Sequence, residues 1–256
     1  MLNYLKSEWY RISRGKELYL LVGILCAIVL AANVLLRVMT TTPDFPYSTV
    51  RFSLSNLISS LGMLFFAAGL LVWVLFSDDR KDGTFKNAIA YGISRRTLFV
   101  GKCIVSVVVG LGGLVVVLAV YIGSAVLLLE GSAESVIYLL KGVAAALPFT
   151  IACVVLAVAV FATLTKPITA FWVWLVIVFI IPSVLNMVGL MIEPVATLAS
   201  WMPINFFANE VSVNQSGVAQ FLWDTPTGLM KCLIAGLTGV VIFAGVGLWR
   251  ADKTEL

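Results

Sequence analysis

The sequence predicts an all-α integral membrane protein with six transmembrane helices, and two observations support this. The first is composition: of 256 residues, 61% are hydrophobic and only 12% are charged, and the mean hydropathy is +1.06. A soluble globular chain holds about 45–50% apolar and about 25% charged residues, so the main solvent of this chain must be lipid. The second is the recurrence of apolar runs of about 20 residues, the length that crosses a bilayer core as a helix.

The apolar runs place the six spans along the chain. They are predicted at about 18–38, 57–76, 103–129, 142–164, 169–191 and 230–249. Together they form one membrane domain, 18–249, followed by a short cytoplasmic tail, 250–256. The first run is interpreted as a retained span, because its apolar part is longer than the roughly 7–15 residues of a signal peptide.

Residues 1–17 are predicted to form an amphipathic helix that lies in the membrane interface. Leu2, Leu5, Trp9 and Ile12 share one helical face, and the basic residues mostly occupy the other side. Apolar and aromatic residues opposite basic ones are typical of an interfacial helix. A plain basic flank for the first span is the alternative.

The basic residues predict how the chain is oriented. Thirteen of the seventeen Lys and Arg residues lie on the side that holds both termini, and four lie on the other side. The positive-inside rule therefore places both termini in the cytoplasm, together with the charged block Phe76–Lys102. The net charge of +4 is read as this topology signal, and no nucleic-acid partner is expected.

Polar groups are sparse inside the predicted spans. No Asp or Glu lies near the middle of a span, which disfavours a proton- or ion-coupled carrier. The uncharged polar residues are expected to bond between helices, with substrate contact as the alternative; they are Asn33, Ser124, Thr150, Thr163 and Asn186. Pro148 and Pro182 predict kinks or breaks.

The last outside stretch, Ile192–Leu229, is the longest and is rich in aromatic residues. Such residues are typical of the membrane interface. We expect the stretch to lie on the outer leaflet or to dip into it, with these aromatic residues as its anchors: Trp201, Phe206, Phe207, Phe221 and Trp223.

The block Phe76–Lys102 reads FSDDRKDGTFKNAIAYGISRRTLFVGK. It is the stretch of this apolar chain that is richest in charged residues. Its spacing predicts a short helix, a break near Gly92 and a second helix capped by Ser94. Apolar residues recur at every fourth position from Phe85 to Ile93. A solvated loop would not need this stripe, so the block is predicted to dock into a groove of another protein.

At this point the sequence resembles a family. Asp79, Gly83-Thr84, Ser94-Arg95 and Lys102 stand at the spacing found in the cytoplasmic loop of ABC-2-type transporter permeases, in particular of the bacitracin-resistance and lantibiotic-immunity type. This chain departs from that pattern in having Asp79 where Glu is frequent and Gly92 where Pro is frequent. The six spans, the basic amphipathic start and the long last outside loop extend the resemblance over the whole chain.

The resemblance implies a subunit arrangement. Two permease chains, identical or related, would pair in a bacterial plasma membrane and bind two copies of an ABC ATP-binding subunit. A cytoplasmic coupling helix between the second and third spans would dock on that subunit, which the interfacial helix would also touch. This chain has no G-x-x-x-x-G-K-[ST] phosphate loop. ATP and magnesium are therefore expected on the partner, with no cofactor, metal or catalytic residue in this chain, which is not expected to be an enzyme.

The resemblance also implies roles for individual residues. The charged ones would pair with the partner, Gly83 and Thr84 would shape the coupling helix, and Phe85 and Ile89 would enter the groove. For the later basic residues, anchoring at phospholipid headgroups is the alternative. The full coupling set is Asp78, Asp79, Arg80, Asp82, Gly83, Thr84, Phe85, Ile89, Arg95 and Lys102. The residues assigned to the interfacial helix are Leu5, Trp9 and Ile12.

The function expected from these features is ATP-driven export of a hydrophobic or amphipathic compound, such as an antimicrobial peptide, a drug or a lipid-like molecule. An intramembrane enzyme is disfavoured because the chain has no His and no carboxylate pair in a span. A membrane scaffold or sensor that transports nothing is the remaining alternative.

Overall fold

The computed structural model describes residues 2–39, 48–81, 88–209, 211–213 and 219–253. In this part of the chain, five helices are long and apolar enough to cross a membrane, and one bent pair of helices raises the number to six. The prediction of an all-α integral membrane protein is confirmed. The division into a segment 1–17, a domain 18–249 and a tail 250–256 stays a prediction.

The first half of the chain forms five helices. They are α1 (Leu2–Arg14), α2 (Lys16–Val38), α3 (Val50–Ser59), α4 (Gly62–Lys81) and α5 (Arg95–Leu128). The span predicted at 57–76 falls on α3 and α4, which meet at an angle of 66°. Ser94 caps α5 as predicted, since its side chain accepts a hydrogen bond from the Thr97 amide, and Gly92 marks the break before it with a φ of +84°.

The second half adds six helices and a small hairpin. The helices are α6 (Ser135–Thr163), α7 (Pro167–Leu175), α8 (Ile181–Gly189), α9 (Glu193–Ser200), α10 (Pro203–Asn209) and α11 (Pro226–Lys253). A π-helical turn, Val176–Ile180, joins α7 to α8, and the three elements together form one candidate span. The antiparallel strands β1 (Val211–Val213) and β2 (Ala219–Phe221) lead into a 3-10 turn, Leu222–Asp224.

Helix α6 lies at the centre of the bundle. In its most apolar stretch 67% of the residues are buried, against 6% in the corresponding stretch of α2. Small side chains let its neighbours come close, and α11 packs along it at Gly236. A Cβ atom at Gly236 would collide with the backbone of Pro148 and Phe149, so the two helices are in direct backbone contact there.

The two prolines inside spans behave differently. Helix α6 continues through Pro148 without a break. Pro182 follows the π-helical turn that interrupts the α-helical hydrogen-bond pattern of the fifth span. The missing amide hydrogen of proline removes one helical bond at either position, but the α-helical pattern is interrupted, by the π-helical turn, only near the second.

A buried polar network joins α2, α3 and α5. The Asn33 amide group donates to the Ser124 hydroxyl (2.8 Å) and to the Tyr121 carbonyl (3.1 Å), and its oxygen accepts from the Ser53 hydroxyl (2.6 Å). The Tyr121 hydroxyl donates to the Ser53 carbonyl at 2.6 Å. The expected bonding between helices is confirmed for Asn33 and Ser124.

The other polar residues of the spans do not follow that expectation. The hydroxyls of Thr150 and Thr163 donate to carbonyls one turn earlier in α6 itself, at Ala146 and Ala159. A threonine hydroxyl in a helix can make its hydrogen bond to a carbonyl of the same helix, so it needs no partner on a second helix. Asn186 is exposed on the surface of α8.

Three aromatic residues of the last long connection pack inward. Phe206, Phe207 and Trp223 are buried, and Phe207 meets the ring of Phe65 on α4 with centroids 5.5 Å apart. The expectation that all the aromatic residues anchor in lipid is therefore wrong for these three. Their large apolar area is buried against the bundle, whereas Trp201 remains half exposed.

Candidate functional site

One end of the bundle brings together most of the residues singled out from the sequence. We call it the basic end; it consists of α1, residues 88–94, the start of α5 and the last turns of α4, α6 and α11. Two ion pairs tie these elements together, one between α1 and α5 and one between α5 and α11. The site is therefore built from chain segments that are far apart in sequence.

Helix α1 packs on α5 through a narrow face. Tyr4, Glu8 and Ile12 are its buried residues, spaced four apart, and they lie against α5. Gly101 of α5 makes this possible, because a Cβ atom there would lie 2.6 Å from the Tyr4 ring. Trp9 remains 52% exposed. The face that α1 buries thus shares only Ile12 with the apolar stripe recognised in the sequence.

The three residues assigned to the interfacial helix are placed differently from one another. Ile12 is buried against the bundle, Leu5 is half buried, and Trp9 is half exposed. A half-exposed Trp9 on a helix that also carries basic residues suits a membrane interface. The interfacial position of α1 stays a prediction.

A buried ion pair lies at the centre of the contact between α1 and α5. The Lys102 ammonium donates to a Glu8 carboxylate oxygen at 2.7 Å, and Arg11 donates to the same oxygen at 3.0 Å. The Lys102 and Glu8 side chains are only 6% and 3% exposed. The ammonium also lies 5.5 Å from the centre of the Phe76 ring. The contact therefore links α1, α4 and α5.

The protonation of Glu8 follows from these partners. Burial by itself raises the pKa of its carboxyl, but the charge of Lys102 and its hydrogen bond lower the pKa, with further lowering from Arg11. The net effect is a pKa below the ordinary value of 4.5. Glu8 is therefore ionised at neutral pH, and the pair is a true salt bridge.

Sequence reasoning missed this pair. Glu8 has no role in the predictions made from the sequence, and Lys102 is predicted there to contact a partner or headgroups. A signal did exist, because Tyr4, Glu8 and Ile12 follow one another at helical spacing and Lys102 stands at the edge of an apolar span. Only the packing of α1 on α5 shows that these two charges meet.

A second ion pair lies on the solvent-exposed surface of the basic end. The Arg96 guanidinium donates to both carboxylate oxygens of Asp252, from Nε to Oδ1 at 2.9 Å and from Nη2 to Oδ2 at 2.6 Å. It connects the start of α5 to the last turn of α11. Both groups are exposed, so this contact orients the two helix ends and contributes little to stability.

Between these ion pairs lies a small cavity of about 50 Å³. Its walls are mainly apolar and include Phe76, Leu98 and Phe99. Ile89, Arg95 and Lys102, three members of the predicted coupling set, also line it. The structure thus brings together one apolar and two basic residues of that set.

The rest of the coupling set is only partly visible. Asp78, Asp79 and Arg80 belong to the last turn of α4. Asp82, Gly83, Thr84 and Phe85 lie outside the described residues, and so does most of the predicted coupling helix; residues 88–90 are helical. Contact of this set with an ATP-binding subunit stays a prediction.

Comparison with known protein families covers most of the chain, including most of the basic end. A family model described as ABC-2 family transporter protein matches residues 4–193. The matched region runs from α1 to the start of α9 and includes the α1–α5 contact, but it excludes α11. No curated protein matches the chain.

Proposed function

The chain belongs to the ABC-2 family of transporter proteins, and from this premise we propose that it exports a hydrophobic or amphipathic compound. As a member of the family it is a multi-pass membrane permease subunit that works with an ATP-binding partner. The match over residues 4–193 is the observation that carries the proposal. Antimicrobial peptides of the lantibiotic or bacitracin type, drugs and lipid-like molecules are the candidate substrates.

The proposed orientation places the basic end in the cytoplasm of a bacterial cell. Thirteen of the seventeen Lys and Arg residues belong to the segments of that side, and cytoplasmic segments of membrane proteins carry such an excess. Both termini then face the cytoplasm, where an ATP-binding subunit has access to them.

The basic end is proposed to receive that subunit. Ile89 and Arg95 lie together at its cavity, next to the segment that the sequence marks as the coupling element. The Glu8–Lys102 pair would make α1 follow any movement of α5. We propose two ATP-binding subunits and a second permease chain, identical or related, with ATP and magnesium bound by the ATP-binding subunits.

The proposed substrate class rests on the character of the spans. Their middle sections carry no Asp or Glu, so a small ion would find no counter-charge there. The surfaces of α2 and α8 are apolar and exposed. A substrate that already resides in lipid could approach along such surfaces without losing its solvation.

A pull-down with matched variants tests the partner. The tagged chain would be purified in mild detergent, and bound proteins would be identified by mass spectrometry and assayed for ATP hydrolysis. Arg95→Glu reverses a charge at the basic end, and Arg51→Glu makes the same change on α3 at the opposite end. A P-loop ATPase should bind the unchanged chain and Arg51→Glu, and its binding should fall with Arg95→Glu. Absence of any ATPase from all preparations would favour the scaffold or sensor alternative.

A transport assay tests the substrate class. Inside-out vesicles holding the chain and its ATP-binding partner should accumulate a labelled lantibiotic or bacitracin in the presence of ATP. The variant Asp79→Lys/Thr84→Pro should remain in the membrane and lose this accumulation. Equal accumulation by the variant would contradict the role of residues 76–102 in coupling.

A further inference from the structure

A second concave surface at the basic end is separate from the cavity described above. It is a groove of about 440 Å³ between α1 and α5, within the range of about 300–1,000 Å³ typical of small-molecule sites. The residues of α5 form its floor, and those of α1 form its rim. Prominent among them are Ile104, Val105, Val108, Lys6, Trp9 and Tyr10.

The floor of the groove is apolar and open. Ile104 and Val108 are 41% and 48% exposed, although both belong to a helix that crosses the membrane. Their exposed surface is not covered by the described part of this chain. An acyl chain can lie along them in van der Waals contact without burying a polar group of the protein.

The rim of the groove is cationic. Lys6 lines it directly, and the Arg14 guanidinium lies 4.8 Å from the centre of the Tyr10 ring, which also lines it. Glu8, the acidic residue of α1, is turned to the opposite face and neutralised by Lys102 and Arg11. The described lining residues include no carboxylate, so the rim favours a negatively charged ligand.

We propose that this groove binds one anionic phospholipid of the leaflet at the basic end. Lys6 holds the phosphate, Arg14 adds a positive charge next to Tyr10, Trp9 and Tyr10 lie at the level of the headgroup, and an acyl chain follows Ile104 and Val108. A zwitterionic lipid offers the same phosphate and acyl chains, but its ammonium group is repelled by the basic rim, so a lipid with net negative charge is favoured. The inference does not depend on the transported compound or on the ATP-binding partner.

Native mass spectrometry of the full chain would test the site. The protein would be reconstituted in vesicles of equimolar phosphatidylcholine and phosphatidylglycerol, and the retained lipids would be counted. The unchanged chain should retain phosphatidylglycerol preferentially. Because one basic residue near the surface contributes about a fivefold affinity for anionic lipid, Lys6→Gln should reduce its retention about fivefold. Lys141→Gln, an equal loss of charge outside the groove, should leave it unchanged.

A second pair of variants separates the groove from charge alone. Val108→Trp fills the groove and keeps every charge, so it should also lower phosphatidylglycerol retention. Val116→Trp is the matched control, because Val116 is 49% exposed on the same helix and does not line the groove. Equal effects of Lys6→Gln and Lys141→Gln, or of the two tryptophan variants, would mean unspecific annular lipid and overturn the proposal.

Discussion

The ammonium of Lys102 lies 2.7 Å from a carboxylate oxygen of Glu8, although 94 residues separate the two in the chain. Both side chains are buried, so the contact holds α1 against α5 at a place that water hardly reaches. Helices α1 and α5 are thus joined by charge as well as by apolar packing.

Replacing Glu8 by Gln should destabilise the protein strongly. The substitution removes the negative charge and leaves the Lys102 ammonium buried without its counter-charge. Breaking a buried pair in this way costs about 3–5 kcal/mol. Denaturant unfolding in detergent would measure the loss, and hydrogen exchange should rise first in α1.

An apolar exchange of both partners provides the control for that variant. Glu8→Leu together with Lys102→Met removes both charges and keeps similar volumes, and such exchanges are often neutral or stabilising. The free energy of unfolding of the double variant should therefore be close to that of the unchanged protein. If Glu8→Gln alone were equally stable, the pair would not fix α1 to α5.

The stability supplied by Glu8 should depend on pH. Its pKa in the folded protein is lowered, so the unfolded chain takes up a proton at a higher pH than the folded one. The contribution is complete above the ordinary value of 4.5 and is lost as the pH falls through the folded value. The difference in unfolding free energy between the unchanged protein and Glu8→Gln should accordingly shrink below about pH 4.5. A difference that stays constant into the acid range would rule out a lowered pKa.

The spans were predictable because their signal is a property of local sequence. A run of about 20 apolar residues has few alternatives to a membrane helix. The cap at Ser94 and the break near Gly92 are equally local, since they depend on residues within one turn. These predictions needed no knowledge of which helices become neighbours.

The details that escaped prediction depend on neighbours. The bend between α3 and α4 falls within an apolar stretch, and hydropathy does not record an angle. The inward turn of Phe206 and Trp223 depends on space beside α4 and α6, where Gly142 faces the Trp223 ring. The Glu8–Lys102 pair forms only because α1 packs on α5, and local sequence does not show which helices become neighbours.

Replacing Asn33 by Leu should weaken the packing of α2. The side chain bonds to Ser53, Ser124 and the Tyr121 carbonyl, and its loss leaves these groups without a common partner. Hydrogen bonds between membrane helices contribute about 0.6–1.7 kcal/mol each. Thermal unfolding would measure the shift, with Asn186→Leu on the exposed surface of α8 as the control that should change little. Equal shifts of the thermal unfolding temperature in the two variants would show that the network adds no stability.

Replacing Gly101 by Ala should displace α1 without altering any charge. The new Cβ atom would lie 2.6 Å from one carbon of the Tyr4 ring and 2.8 Å from another. Real Cβ atoms do not come this close, so the ring and the helix that carries it must move away. Overpacking of this kind costs about 1–3 kcal/mol, and the displacement also lengthens the contact between Glu8 and Lys102.

Gly112→Ala on the same helix is the matched control for that variant. A Cβ atom at Gly112 meets no described atom within 4 Å, and alanine favours a helix over glycine by about 1 kcal/mol. Gly112→Ala should therefore preserve or raise stability, whereas Gly101→Ala should speed hydrogen exchange in α1 and leave exchange in α6 unchanged. Because both substitutions have the same effect on helix propensity, any difference between them arises from the contact of Tyr4 with α5. If α1 were protected equally in both variants, close packing at Gly101 would not be what holds it.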